Sequence, residues 1–106
     1  SARLDFNYYK DLALTAERGK FDMVFLSDFL GMPFPYKKNV ELAKWGNAAR
    51  FEPMTLLSAL AVVTNQIGLV ATASTTYHEP FTMARKLASM DFLSGGRAAW
   101  NVVTSC

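Results

Sequence analysis

Residues 52–80 read EPMTLLSALAVVTNQIGLVATASTTYHEP, and the order of signals inside them decides the fold. Pro53 stands at the head of an apolar stretch running to Gln66, in the first helical turn, where its missing N–H costs nothing. The segment IGLVATAST, residues 67–75, is short and apolar in its body, as expected of a strand buried on both faces. Glu79-Pro80 then repeats the proline signal at the head of another helix. Helix, strand and helix with short connections imply crossovers and a parallel sheet.

The flanks extend the same alternation. Upstream, LDFNYYKDLALTAERGKFD (residues 4–22) spaces Phe6, Tyr9, Ala13 and Ala16 as one helical face, with Asp5 or Asn7 as N-cap and Gly19 as C-cap. FDMVFLSDF (residues 21–29) follows as a strand expected to be buried on both faces. Residues 29–50 show no clean period and carry Gly31, Pro33, Pro35 and Gly46, the marks of a long loop with a helical turn expected at 40–44. Downstream, EPFTMARKLASMDFL (residues 79–93) is expected to bury a stripe of Phe81, Ala84, Leu87 and Ala88. Gly95-Gly96 ends that helix, and RAAWNVVTS (residues 97–105) forms a third strand. A doubly wound sheet and a piece of a (β/α)₈ barrel both satisfy this order. Three strands complete neither, and the last would be a bare apolar edge, so the chain is expected to be a piece of a longer protein.

Composition narrows the class. The 106 residues are 51% hydrophobic and 19% charged, a globular balance, and allow at most one small domain. A net charge of +2, with Lys37, Lys38, Lys44 and Arg50 as its densest basic group, gives no nucleic-acid face. One cysteine excludes an internal disulfide and a cysteine-rich zinc site, and fits a reducing cytoplasm. No window holds the roughly 18 apolar residues of a membrane helix. There is no G-x-G-x-x-G, Walker A loop, H-E-x-x-H, C-x-x-C or G-x-S-x-G, and only one histidine. Those devices for nucleotides, metals and acyl transfer are therefore absent.

The polar residues cluster where each strand ends: Ser27-Asp28; Thr72, Ser74, Thr75 and Thr76; Asn101, Thr104 and Ser105. Parallel α/β folds bind ligands at the carboxyl ends of their strands, so these clusters mark a candidate site. Each also has a plainer reading. Asp28 is either a ligand contact or a cap for the next turn; His78 with Glu79 is either an acid–base pair or a surface histidine near a helix N-terminus; polar groups also simply mark strand ends. Trp45 and Trp100 read as packing residues, and Cys106 as an inert thiol.

Several segments together carry a family resemblance: ERGKFD (17–22), EPMTLLSALAVVT (52–64), TASTTYHEP (72–80), MDFLSGGR (90–97) and WNVVTS (100–105). The chain resembles the bacterial luciferase-like flavin monooxygenases, in the group of nitrilotriacetate monooxygenase, pristinamycin synthase and dibenzothiophene-sulfone monooxygenase. The likeness runs from residue 4 to residue 105, interrupted at the loop 32–50; Phe92 departs from it, since relatives often carry histidine there. The resemblance implies an α/β fragment of a (β/α)₈ TIM barrel, helix 1 to strand 4, making residues 1–106 a partial barrel domain with a variable loop at about 29–51. It implies an FMNH₂-dependent monooxygenase, inserting one oxygen atom from O₂ into a small organic substrate through a peroxyflavin. It further implies a separate NAD(P)H:FMN reductase as partner and a cytoplasmic homo-oligomer.

By the same resemblance Asp28 is the flavin-contacting aspartate after barrel strand 2, and Thr72 the threonine that touches FMN at the end of barrel strand 3. Asn101, Thr104 and Ser105 resemble the strand-4 segment beside the isoalloxazine ring. The FMN phosphate is held by later loops in such barrels. The loop with Phe34, Tyr36 and Trp45 is expected to help choose the substrate. Two alternatives stay open: a family member that uses a deazaflavin or has lost oxygenation, and a non-catalytic flavin-binding or structural fragment that needs the rest of the barrel.

Overall fold

A computed structural model describes residues 4–28 and 50–104. Expectations on residues 29–49, including Phe34, Tyr36, Trp45 and the turn at 40–44, and those on Ser105 and Cys106, lie outside the described residues. The described elements run α1 (Phe6–Arg18), β1 (Met23–Leu26), α2 (Pro53–Ala61), β2 (Gly68–Ser74), α3 (Pro80–Ser94) and β3 (Ala98–Val103). The strands form one parallel sheet in the order β1-β2-β3. The alternating α/β reading is borne out.

Helix α1 starts at Asp5, whose carboxylate accepts the Asn7 N–H at 3.0 Å. Its Ala13 is buried, with Phe6, Tyr9 and Ala16 partly buried beside it, as the spacing predicts. Gly19 caps its end, but the left-handed residue is the next one, Lys20 (φ 64°).

Helices α2 and α3 begin alike. Glu52 and Glu79 are the N-caps, each followed by proline, and each carboxylate accepts the N–H and the hydroxyl of a threonine three residues on, Thr55 or Thr82. The signal was present as the repeated pattern E-P-x-T, read only for its prolines.

Helix α2 ends at Ala61, five residues before the expected Gln66, because the chain beyond it is held by side chains from elsewhere. The Glu17 carboxylate, on α1, accepts the backbone N–H groups of Asn65, Gln66 and Ile67 at 2.8, 2.7 and 3.0 Å. Arg97, just before β3, donates Nη2 to the carbonyls of Ala61 and Thr64 at 2.9 and 3.1 Å. Its Nη1 donates to the Ile67 carbonyl at 2.8 Å and the Thr64 hydroxyl at 2.9 Å. A carboxylate thus takes the donors of one short loop and a guanidinium takes its acceptors, which continued helix would have satisfied internally.

The Gln66 N–H, joined by those of Ile67 and Asn65 and the charge of Arg97, holds the Glu17 carboxyl below its ordinary 4.5 despite partial desolvation. A depressed folded pKa contributes stability above the unfolded carboxylate's pKa, lost as pH falls through the folded value. Through the three hydrogen bonds it removes, Glu17→Ala is expected to cost about 1–2 kcal/mol near neutral pH, with the gap to the parent closing as pH falls below the ordinary 4.5 and through the lowered folded value. Denaturant titrations of both proteins across that range check it.

One core cluster joins the helices to the sheet: Leu57, Leu60, Met83 and Met90 meet Leu69, Ala71 and Ala73, alternate residues on one face of β2. Two expectations fail here. On α3 the buried residues are Met83, Met90 and Ser94, with Leu87 partly buried, whereas Phe81 (69% exposed), Ala84 and Ala88 face outward. The helix is apolar on two sides, and periodicity alone does not say which side meets the sheet. β1 is not buried on both faces: Val24 and Leu26 pack inward, while Met23 (53%) and Phe25 (51%) are exposed. β1 is an edge strand here, and no described helix covers that side. The central strand β2 is buried along Leu69–Ser74, as expected.

Candidate functional site

The strand pairing settles which polar residues stand together. Phe25 pairs with Val70, and Val70 with Ala99; one step along, Thr72 pairs with Asn101. Since side chains alternate along a strand, these residues lie on the face opposite Leu69, Ala71 and Trp100, the face away from the helices. Continuing the β1–β2 register past Leu26 brings Ser27 beside Thr72. The helix-free face is therefore apolar in its body (Phe25, Val70, Ala99) and polar at its carboxyl end (Ser27, Thr72, Asn101).

Two of the predicted site residues bond to each other. Asn101 Nδ2 donates to Thr72 Oγ1 at 3.0 Å, and Thr72 is buried at 5% exposure. With its lone pair so engaged, the Thr72 hydroxyl keeps its own proton to donate, and Asn101 Oδ1 remains an acceptor. The pair offers one donor and one acceptor side by side over an apolar floor. Any ligand edge that carries an acceptor next to a donor can meet it.

The other predicted residues sit around this pair. Asp28 lies two residues beyond β1, at the same end of the sheet, and is partly buried. Thr104 lies just past β3 and is exposed; its carbonyl accepts the Thr76 hydroxyl. The Thr75 N–H and hydroxyl both donate to the Val103 carbonyl, at 2.8 and 3.2 Å. Much of the threonine-rich tip of β2 is thus spent on tying the β2–α3 turn to the end of β3. Ser105 lies outside the described residues. His78 immediately precedes the N-cap Glu79, and Trp100 packs on the helix side, donating Nε1 to the Ala73 carbonyl at 3.0 Å.

Two residues were not carried into the predicted flavin site: Ser74, named only within the cluster at the end of its strand, and Arg50. Ser74 is buried, shares the Thr72 face by alternation, and accepts the Thr76 N–H at 3.1 Å. Arg50, set aside there as one of a weak basic group, stands with Ser27 at a recess of about 230 Å³ walled by Tyr9, Leu26, Phe51 and Leu56. Two-residue spacing would have singled out Ser74; no local signal places Arg50.

At the starts of the three described helices one kind of ligand group finds no free site. N-termini commonly hold phosphates, but Asp5, Glu52 and Glu79 already occupy those of α1, α2 and α3 with carboxylates. The Thr82 N–H, with that of Phe81 and the Thr82 hydroxyl, holds Glu79 below the ordinary range. At Glu52 burial works the other way, but hydrogen bonds from Met54 and Thr55 outweigh it. Both stay ionised near neutrality and repel a phosphate. Among the described residues no cluster of His, Cys, Asp and Glu could hold a metal ion.

Comparison with known proteins gives this geometry a context. The family model described as luciferase-like monooxygenase matches residues 1–106. The chain is 59% identical over 104 residues to N-acetyl-S-(2-succino)cysteine monooxygenase of Bacillus subtilis (strain 168), covering 98% of the chain and 22% of that protein. It is 49% identical over 106 residues to nitrilotriacetate monooxygenase component A of Aminobacter aminovorans, covering 95% and 23%. Among solved structures, a riboflavin lyase with modified FMN and riboflavin superposes with a TM-score of 0.87 at 34% identity, over 96% of this chain and 23% of that one. A long-chain alkane monooxygenase superposes at 0.84 and 39% identity, over 95% and 24%. The chain thus spans less than a quarter of the length of these relatives.

Proposed function

The chain belongs to the luciferase-like monooxygenases, and from that premise we propose that it forms one wall of the flavin pocket in a flavin-dependent monooxygenase. The observation that carries the reading is the Asn101–Thr72 pair at the carboxyl ends of adjacent parallel strands, a donor and an acceptor facing away from the helices. The residues fit the ring of FMN and not its phosphate, since the helix N-termini at this end carry carboxylates. Thr72 and Asn101 would hold the ring edge, with Asp28, Thr104 and Ser105 at the rim. The phosphate would be bound by parts of the barrel beyond this segment.

When bound, reduced FMN supplies the activation of O₂, with one oxygen atom passing to a small organic substrate and the other leaving as water. The chain's own residues orient the ring and, through Phe25 and Val70 beneath it, keep water from that side. A relative named as component A of a monooxygenase supports a two-component system, with FMNH₂ delivered by a separate NAD(P)H:FMN reductase. No described helix is long and apolar enough to cross a membrane; we place the protein in the cytoplasm, where the reductase finds its nicotinamide cofactor.

Asp28→Ala in the whole protein is expected to weaken reduced-flavin binding about tenfold, measured by anaerobic fluorescence titration. Unchanged affinity removes Asp28 from the pocket. Oxygenated product carrying one atom of ¹⁸O from labelled O₂, formed only with reduced FMN, tests the activity. Failure with FMN and success with a deazaflavin would contradict the cofactor.

A further inference from the structure

The chain leaves β2 at Ser74, but its next two hydroxyls stay with β3. Along the paired strands, the Leu69 N–H donates to the Arg97 carbonyl and the Thr75 N–H to that of Val103, at 2.9 and 2.8 Å. Carbonyls alternate sides along a strand, so those of the odd-numbered residues 97–103 face β2, and a regular continuation would turn the Thr104 carbonyl away from it. The Thr76 hydroxyl takes that carbonyl instead. The Thr75 hydroxyl adds a second bond to the Val103 carbonyl, at 3.2 Å. The Thr76 N–H is fixed from the other side, donating to Ser74 Oγ at 3.1 Å, and Ser74 is buried. One residue thus joins a buried hydroxyl on the helix-free face of β2 to the chain just past β3.

Thr75, Thr76 and Thr104 are all exposed, and there water satisfies a carbonyl nearly as well as a hydroxyl does. The two ties therefore add little to global stability. What they fix is the path of the chain at the end of β3, where local opening of a strand costs least. Asn101, bonded to Thr72, stands two residues before Val103, and Thr104 follows directly after it. We propose that Thr75 and Thr76 are positioning residues for the flavin ring. Their hydroxyls touch no ligand and act through the Val103 and Thr104 carbonyls, holding Asn101 and Thr104 at a fixed spacing from Thr72. The proposal rests on this face being a wall of the flavin pocket, and it names the residues that keep the wall in shape.

The test compares variants of the whole protein. Thr76→Val deletes the tie to Thr104 and keeps the N–H that Ser74 accepts; Thr75→Val keeps the backbone bond to Val103. The double valine variant is expected to weaken FMN binding about tenfold in a fluorescence titration. Its urea midpoint should match the parent's, and amide hydrogen exchange should quicken at the end of β3 alone. Replacing both threonines by serine keeps the hydroxyls and should restore affinity to within about twofold of the parent. Unchanged affinity in the valine variant, with affinity lost in Asn101→Leu, overturns the proposal and leaves the pocket standing. Unchanged affinity in both removes the pocket, and the proposal with it. A loss that tracks a lowered urea midpoint, or that serine does not restore, also overturns it, since the hydroxyls then serve folding and not the ring.

Discussion

Replacing Arg97 by alanine is expected to cost the whole protein about 3 kcal/mol of stability. The guanidinium donates to the carbonyls of Ala61, Thr64, Ile67 and Ser94 and to the Thr64 hydroxyl. Thr64 is buried, at 5% exposure, and its hydroxyl also donates to the Leu60 carbonyl at 2.7 Å. Alanine strands the acceptors of Ala61, Thr64 and Ile67 between α2 and β2 and that of Ser94 at the end of α3, where water replaces the lost donors only in part, and each unsatisfied buried group costs about 1–3 kcal/mol. Arg97→Lys should recover less than half of the loss, because an ammonium lacks the planar fork that reaches several carbonyls together. Urea denaturation of the parent and both variants checks the order. A cost below about 0.5 kcal/mol for Arg97→Ala, the range of ordinary surface changes, would contradict the clamp.

The second large effect is expected at the site. Asn101→Leu removes the donor to Thr72 and the acceptor offered to a ligand while roughly preserving volume. FMN affinity should fall about 10- to 100-fold, since a ring edge that hydrogen-bonded there is left facing hydrocarbon. Thr72→Val tests the other member: it keeps the shape and loses the hydroxyl. Because the residues act as a pair, the double variant should lose less than the sum of the single losses. If both single variants bind FMN as the parent does, the pair orients no ligand and serves only to join β2 to β3.

What could be read in advance follows from the range of the interactions. The strands, helices and their parallel order rest on local patterns, proline at a helix head and polar residues at strand ends, and these held. The buried side of α3 could not be chosen, because Phe81-Ala84-Ala88 and Met83-Leu87-Met90 are both apolar at helical spacing and only the sheet selects between them. The early end of α2 was equally hidden, since the groups that replace its hydrogen bonds lie far along the chain, in Glu17 and Arg97. At the site, Thr72 and Asn101 stand out separately, as polar residues at strand ends and then through a family likeness; that they touch is a matter of strand register, which no single strand encodes.

The central claim is that the carboxyl end of this sheet, at Thr72 and Asn101, meets the flavin ring. A crystal structure of the whole protein with FMN tests it most directly. The account predicts the isoalloxazine edge within hydrogen-bonding distance of Thr72 Oγ1 or Asn101 Oδ1, on the face away from the helices, with the phosphate outside residues 1–106. A ring bound elsewhere, or a phosphate seated on the start of α2 or α3, would contradict it.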